Sequence, residues 1–264
     1  MNKVAEKFYE LGQKKRKVLI PFIVAGDPDL TATFAILPRL VQGGADLIEL
    51  GVPFSDPLAD GPVIQAASQR ALAKGFRLKR FLPMLAENRP RVTVPLVLLV
   101  YYNLVYQYGT ERFLQEAAES GINGLVIPDL PYEEAERLCG PAQKNGIALN
   151  MLVAPTSSPQ RIRIAAGLTS GFIYLVSVRG VTGERAVLPP NLSKLAGEVK
   201  KLTALPVAIG FGVSRPEQAG QIASFADGII VGSALVKKIA GGSRAAAGEE
   251  AEAFLQSFRK AVDG

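Results

Sequence analysis

Histidine is absent from this 264-residue chain, and cysteine occurs once, at Cys139. No intrachain disulfide can form, so the chain suits a reducing compartment and Cys139 reads as a small packed hydrophobe. Metal sites of usual imidazole or thiolate ligand count are excluded, as are Ser/His and Cys/His nucleophile pairs. A carboxylate site for magnesium stays open in principle. Long apolar runs are lacking too: the longest, Val94 to Tyr102, falls far short of the ~20 residues that cross a bilayer. The opening stretch MNKVAEKFYELGQKKRK alternates apolar and charged groups, with neither an apolar signal core nor a small-residue cleavage site. A soluble, cytoplasmic protein without a membrane partner is expected. Composition shifts, low-complexity segments and polar linkers are also missing, so one domain over residues 1–264 is expected.

The net charge is +6, with basic residues in short groups such as Arg77, Lys79 and Arg80, or Lys200 and Lys201. No aromatic residues interleave with them as a nucleic-acid platform requires, so no nucleic-acid partner is expected. The run Lys14 to Lys17 matches a polyanion patch by composition, but it joins an amphipathic helix to the first strand and reads as a solvated junction. Weak steering of an anionic small molecule is what the charge supports.

What the chain does have is a repeating pattern. Short runs rich in Val, Ile and Leu recur at Val18 to Ala25, Leu47 to Gly51, Pro95 to Tyr101, Gly124 to Ile127, Ala148 to Val153, Phe172 to Ser177, Pro206 to Gly210 and Gly228 to Val231. They are too continuous for a sheet with one wet face and read as buried parallel strands. Amphipathic segments separate them: Thr31 to Gln42, Val63 to Lys74, Glu111 to Glu119, Glu133 to Lys144, Gln160 to Ala166, Leu192 to Leu202 and Pro216 to Ala223. This alternation predicts an α/β fold, a (β/α)8 TIM barrel, with a doubly wound open sheet as the alternative. An additional N-terminal helix, Val4 to Gly12, is placed to plug the bottom of the barrel, and Glu249 to Val262 reads as a closing helix. Ser158 before Pro159, and Ser214 before Arg215-Pro216, read as helix N-caps.

The segment Leu47 to Gly61, LIELGVPFSDPLADG, places a carboxylate where a strand would carry another aliphatic residue. Side chains alternate along a strand, so Leu47 and Glu49 share one face and Ile48 and Leu50 the other. If that face points inward, desolvation raises Glu49 above its ordinary value of ~4.3 and makes it a general acid/base. On its own Glu49 fits equally well a strand-end residue turned to solvent. Asp60, before Gly61, fits either a second acid/base carboxylate on the same rim or a turn and helix cap, and Asp56 before proline favours a turn.

In such a barrel the chemistry gathers at the carboxyl ends of the strands, with phosphate held by the last loops. Strand seven ends in Gly210-Phe211-Gly212, strand eight in Gly232-Ser233-Ala234, and strand six leads into Arg179 to Arg185 with Gly180 and Gly183. Three glycine-bearing strand ends in succession, one opening a short helix, point to a phosphate monoester as ligand.

Taken together, these residues resemble the tryptophan synthase alpha subunit family along essentially the whole chain. The matching segments are Ile48 to Gly61, Pro21 to Pro28, Tyr101 to Leu104, Ile127 to Pro131, Gly180 to Gly183, Gly210 to Gly212 and Gly232 to Ala234. The resemblance implies a lyase reaction, the retro-aldol cleavage of indole-3-glycerol phosphate to indole and glyceraldehyde 3-phosphate. It also implies a beta-subunit partner in an alpha2beta2 heterotetramer, with pyridoxal phosphate held by that partner and no cofactor or metal in this chain. Such a cleavage needs an electron sink. No lysine lies inside a strand to form a Schiff base and no histidine is present for zinc, but an indole ring protonated at C3 is its own sink. The resemblance thus assigns Glu49 to proton transfers at indole C3 and the glycerol hydroxyl, and Asp60 to the indole N–H. Phe22, Tyr101, Tyr174 and Phe211 become candidates to line the indole pocket, though any one of them also suits ordinary barrel core. Thr182, Gly183, Gly212, Gly232 and Ser233 become the candidate phosphate holders. Loops Pro53 to Asp60 and Arg179 to Pro190 are expected to act as lids. Two other readings remain: another phosphate-binding barrel, and a catalytically silent subunit that activates a partner.

Overall fold

In a computed structural model that describes residues 1–176, 188–210, 212–241 and 246–264, the apolar runs pair side by side, all in parallel. The strands are β1 (Val18–Val24), β2 (Ile48–Gly51), β3 (Leu96–Leu99), β4 (Ile122–Val126), β5 (Ala148–Leu149), β6 (Leu152–Val153), β7 (Ile173–Val176), β8 (Val207–Gly210) and β9 (Gly228–Val231). Their order is β5-β4-β3-β2-β1-β9-β8-β7-β6. The two ends of that order are one continuous piece of chain, so the sheet closes into a barrel. The run expected as a single strand, Ala148 to Val153, is split because it changes partners midway. Ala148 and Leu149 pair with Gly124 and Leu125, whereas Leu152 and Val153 pair with Tyr174 and Leu175. Asn150, 1 % exposed, spans the change. Its Nδ2 donates to Leu125 O at 3.0 Å, and its Oδ1 accepts from Phe172 N at 2.9 Å.

Alternation along the strands sorts the apolar residues into two layers. Leu19, Ile23, Ile48, Leu50, Leu96 and Leu98 pack outward against the helices. Ile20, Phe22, Val24, Leu47, Val97 and Leu99 point into the barrel, and Glu49 shares the inward parity of Leu47. Helix α1 (Lys3–Gln13) follows from apolar residues at helical spacing, with Val4, Phe8 and Leu11 buried and the Asn2 side chain capping Ala5 N. Those three residues join the inward cluster from the amino-terminal end of the strands, so the helix does plug the bottom.

The remaining helices are α2 (Leu30–Gln42), α3 (Pro62–Ala73), α4 (Leu78–Asn88), α5 (Tyr102–Tyr108), α6 (Thr110–Glu119), α7 (Tyr132–Lys144), α8 (Pro159–Leu168), α9 (Leu192–Leu202), α10 (Pro216–Ala223), α11 (Ser233–Gly241) and α12 (Ala247–Asp263). Helices α4 and α5 were not among the expected segments. Helix α4 buries Phe81, Leu82 and Leu85, and the short α5 buries Val105 and Tyr108. Ser158 caps α8 as expected, accepting from Arg161 N at 3.3 Å. The cap of α10 differs: its N-cap is Arg215, not Ser214. There Gln218 Oε1 accepts from the backbone of both Ser214 and Arg215, at 2.8 and 3.0 Å. No helix among the described residues is long and apolar enough to cross a membrane.

Candidate active site

The carboxyl ends of the strands surround a narrow cavity walled by Phe22, Leu99, Tyr174 and Ile230 from the barrel and by Asp60, Ile64, Gly212 and Ser233 from the rim. Of the residues expected from sequence, Phe22, Asp60, Tyr174, Gly212, Gly232 and Ser233 meet on this one wall. Thr182, Gly183 and Phe211 lie outside the described residues. Leu99 and Ile230 were missed because an aliphatic carries no chemical signature. Strand parity was the available signal, since Leu99 lies two residues past Val97, which is paired with Glu49.

Glu49 lies on β2 opposite Phe22 of β1, 1 % exposed. Neither of its carboxyl oxygens has a hydrogen-bond partner among the described residues. A buried carboxylate without donors is disfavoured in its charged form. Burial first, and then the nearby charge of Asp60, push Glu49 up to about 8. The solvent-facing alternative for this residue is thereby removed.

Asp60 is held by a different device. Its loop leaves β2 and enters α3 through Gly61 as N-cap and Pro62 in the first turn, so Asp60 is not the cap that its position before Gly61 allowed. The Tyr101 hydroxyl hydrogen-bonds the Asp60 carboxylate and accepts from Ala59 N at 3.0 Å, fastening the loop at two adjacent residues. Burial raises Asp60 to about 6, and the Tyr101 hydrogen bond limits the rise. Tyr101 stacks with Phe54 of the same loop at 4.9 Å between ring centres and is not part of the cavity wall. It supports the acid rather than touching the cavity. Tyr174 is pushed well above the ordinary tyrosine value by burial and then by Glu49 and Asp60, so it stays protonated.

Two strand glycines make room for the aromatic walls. A Cβ on Gly51 would lie 2.5 Å from the Phe22 ring, and one on Gly210 would collide with the Tyr174 hydroxyl. On the opposite side, α11 starts at Ser233, and Val236 N donates to Gly232 O at 3.0 Å. The amides ahead of that bond have no helical acceptor and face the cavity end with the positive end of the helix dipole. Gly212, at φ +82°, brings a second stretch of backbone to the same rim. Among the described residues no group of three or more His, Cys, Asp or Glu side chains converges as a metal site. The cavity wall therefore combines the Asp60 carboxyl, aromatic rings and backbone amides at one rim, while Glu49 sits beside Phe22 on the neighbouring strand and is not itself part of the wall.

Comparison with known proteins gives one answer. The profile of the tryptophan synthase alpha chain family matches residues 8–263. A tryptophan synthase alpha chain from Synechococcus sp. (strain CC9902) is 48% identical over 261 residues, covering 98% of this chain and 97% of its own length. One from Prochlorococcus marinus (strain MIT 9313) is 49% identical over 260 residues, covering 98% and 94%. Among solved structures, tryptophan synthase subunit alpha from Legionella pneumophila str. Paris superposes with a TM-score of 0.92 at 38% identity, covering 100% of this chain and 99% of that one. A Mycobacterium tuberculosis tryptophan synthase structure gives 0.90 at 34% identity, covering 99% and 98%. With a family profile spanning nearly the whole sequence and relatives about half identical along their lengths, this chain belongs to the tryptophan synthase alpha chain family.

Proposed function

We propose that this member of an enzyme-subunit family of tryptophan synthesis is a carbon–carbon lyase that cleaves indole-3-glycerol phosphate to indole and glyceraldehyde 3-phosphate. The observation that carries the reading is the pair of carboxyls held at about 8 and about 6, because near neutrality one is an acid and the other a base. Protonated Glu49 delivers its proton to indole C3. The ring nitrogen becomes cationic, and ionised Asp60 stabilises it by accepting its N–H. Glu49, now a carboxylate, takes the proton of the glycerol hydroxyl next to the ring. The carbon–carbon bond breaks, its electron pair returns to the indole ring, and the aldehyde of glyceraldehyde 3-phosphate forms. Glu49 ends protonated, as it began.

Phe22, Tyr174 and Phe211 enclose the indole together with Leu99 and Ile230, while Tyr101 supports Asp60 from behind. Gly212, Gly232 and Ser233 hold the phosphate through backbone amides and the α11 dipole, joined by Thr182 and Gly183. The partner is a tryptophan synthase beta subunit in an alpha2beta2 assembly, which takes the indole and carries the pyridoxal phosphate. The lone thiol of Cys139 accords with a cytoplasmic setting.

The test is release of glyceraldehyde 3-phosphate from indole-3-glycerol phosphate by the purified chain, with and without the beta subunit. Slow release that accelerates with the partner is expected. Partner activation without any cleavage would turn the chain into a silent subunit. No release in either case, from folded protein, would move the function to another phosphate-binding barrel activity.

A further inference from the structure

The turn after β1 contains a buried carboxylate that the reaction above does not use. Asp27 is 4 % exposed, and its two oxygens accept a fork from Arg70, Nε to Oδ1 at 2.8 Å and Nη2 to Oδ2 at 2.7 Å. Paired parallel bonds of this kind fix direction as well as distance. Arg70 lies near the carboxyl end of α3, and one helical turn further on Lys74 Nζ donates to Pro28 O at 2.6 Å. The same turn is thus gripped twice from one face of one helix. Gly26 comes so close beneath that a Cβ there would lie 3.2 Å from Ala71 Cβ.

The other end of α3 is the end the site uses. Asp60 precedes the helix by two residues, Gln65 Nε2 donates to Asp60 O at 2.8 Å, and Ile64 stands on the cavity wall. Along its length α3 packs on β1 and on α11, the helix that opens the anion cradle. A helix rises ~1.5 Å per residue and acts as a short rigid rod. Pinning its carboxyl end to the turn after β1 therefore fixes the axis that delivers Asp60.

We propose that Asp27 and Arg70 are a positioning pair for the active site: their fork sets the lie of α3 and so holds Asp60 at the cavity mouth. The role rests on the assignment of Asp60 to the reaction. The Arg70 side chain is 41% exposed, so solvent screens the pair and limits its share of global stability. What the fork retains is direction.

Two variants test it. Arg70→Lys keeps the charge but donates from a single nitrogen. The double variant Asp27→Asn/Arg70→Gln removes both charges without leaving a buried carboxylate unpaired. One readout is hydrogen exchange at the Ala59 amide, which the Tyr101 hydroxyl protects; the other is kcat and KM for glyceraldehyde 3-phosphate release. In both variants, with cooperative unfolding retained, exchange at Ala59 should speed up about tenfold or more. The kcat should fall about 10- to 100-fold, as expected for a misplaced acid/base group, with KM changed by less than about twofold. Unchanged Ala59 exchange in either folded variant overturns the proposal, whatever the activity. Faster Ala59 exchange in the variants of a chain whose wild type releases no product would instead refute the lyase reading and leave the positioning of Asp60 standing.

Discussion

Glu49 and Asp60 differ in what surrounds them, and the division of labour proposed for them rests on that difference. Glu49 has no donor within reach among the described residues and is raised to about 8; Asp60 has the Tyr101 hydroxyl and stops at about 6. Between those values the pair holds one proton, on Glu49. The pH profile of kcat/KM should be bell-shaped, with limbs near 6 and 8 that belong to the pair as a unit. A flat profile from pH 5 to 9 would refute the assignment. Glu49→Gln should lower turnover by about 10²- to 10⁴-fold while the phosphate group still binds. Asp60→Asn should lose most activity but keep a remnant, since an amide oxygen still accepts the indole N–H.

The same shifts fix a sign for stability. Both folded values lie above the ordinary carboxyl range, so the native state retains protons that the unfolded chain releases. That contribution is complete below the ordinary values. It is lost as pH rises, through about 8 for Glu49 and about 6 for Asp60. Urea titration should find Glu49→Gln more stable than wild type at pH 8.5 and equal to it at pH 4; equal stability at both would mean that burial does not penalise the charge.

Among the elements, the split fifth strand is where the barrel closes. A side chain adds to the backbone bonds at the change of partner: Asn150 Nδ2 donates to Leu125 O on one side and its Oδ1 accepts from Phe172 N on the other, while Asn150 N donates to Leu125 O and Tyr174 N to Met151 O. Asn150→Ala removes both side-chain bonds and strands a buried amide, a cost of about 1–3 kcal/mol. Denaturant midpoints measure it, and a loss under about 0.5 kcal/mol would show that backbone pairing alone closes the sheet. Helix α3 matters for a different reason, because one of its ends meets the chemistry and the other the turn after β1.

For the molecule as a whole, the two ends of the barrel do different work. The carboxyl end holds the cavity, and the amino end is sealed by α1 and tied to the closing helix α12. There Arg259, 8 % exposed, donates to Asp46 Oδ2 at 2.8 Å and to Lys17 O at 3.3 Å. Asp46 in turn accepts from Leu19 N at 2.9 Å. Removing one member of a buried pair costs about 3–5 kcal/mol, so Arg259→Ala should lower the unfolding free energy by that amount and leave kcat of the folded fraction unchanged. A fall in kcat at unchanged stability would mean that the two ends are coupled.

By itself the sequence determined the barrel, the plugging helix and the inward parity of Glu49, because each is written as a local pattern, whereas the local pattern at Asp60 left a turn or cap open. Apolar runs of strand length alternate with helical spacing, and Glu49 takes the parity of Leu47. Caps and partner changes were less legible: the α10 cap moved to Arg215 and Ala148 to Val153 split in two, since both depend on atoms far away in sequence. Only the tertiary structure decided how far the two carboxyls differ in their hold on a proton. Two residues of one chemical class are told apart by how completely each is buried and by one hydroxyl, that of Tyr101, lying 41 residues beyond Asp60. The Asp27–Arg70 fork was equally invisible, because 43 residues separate its members and only the folded course of α3 brings them together.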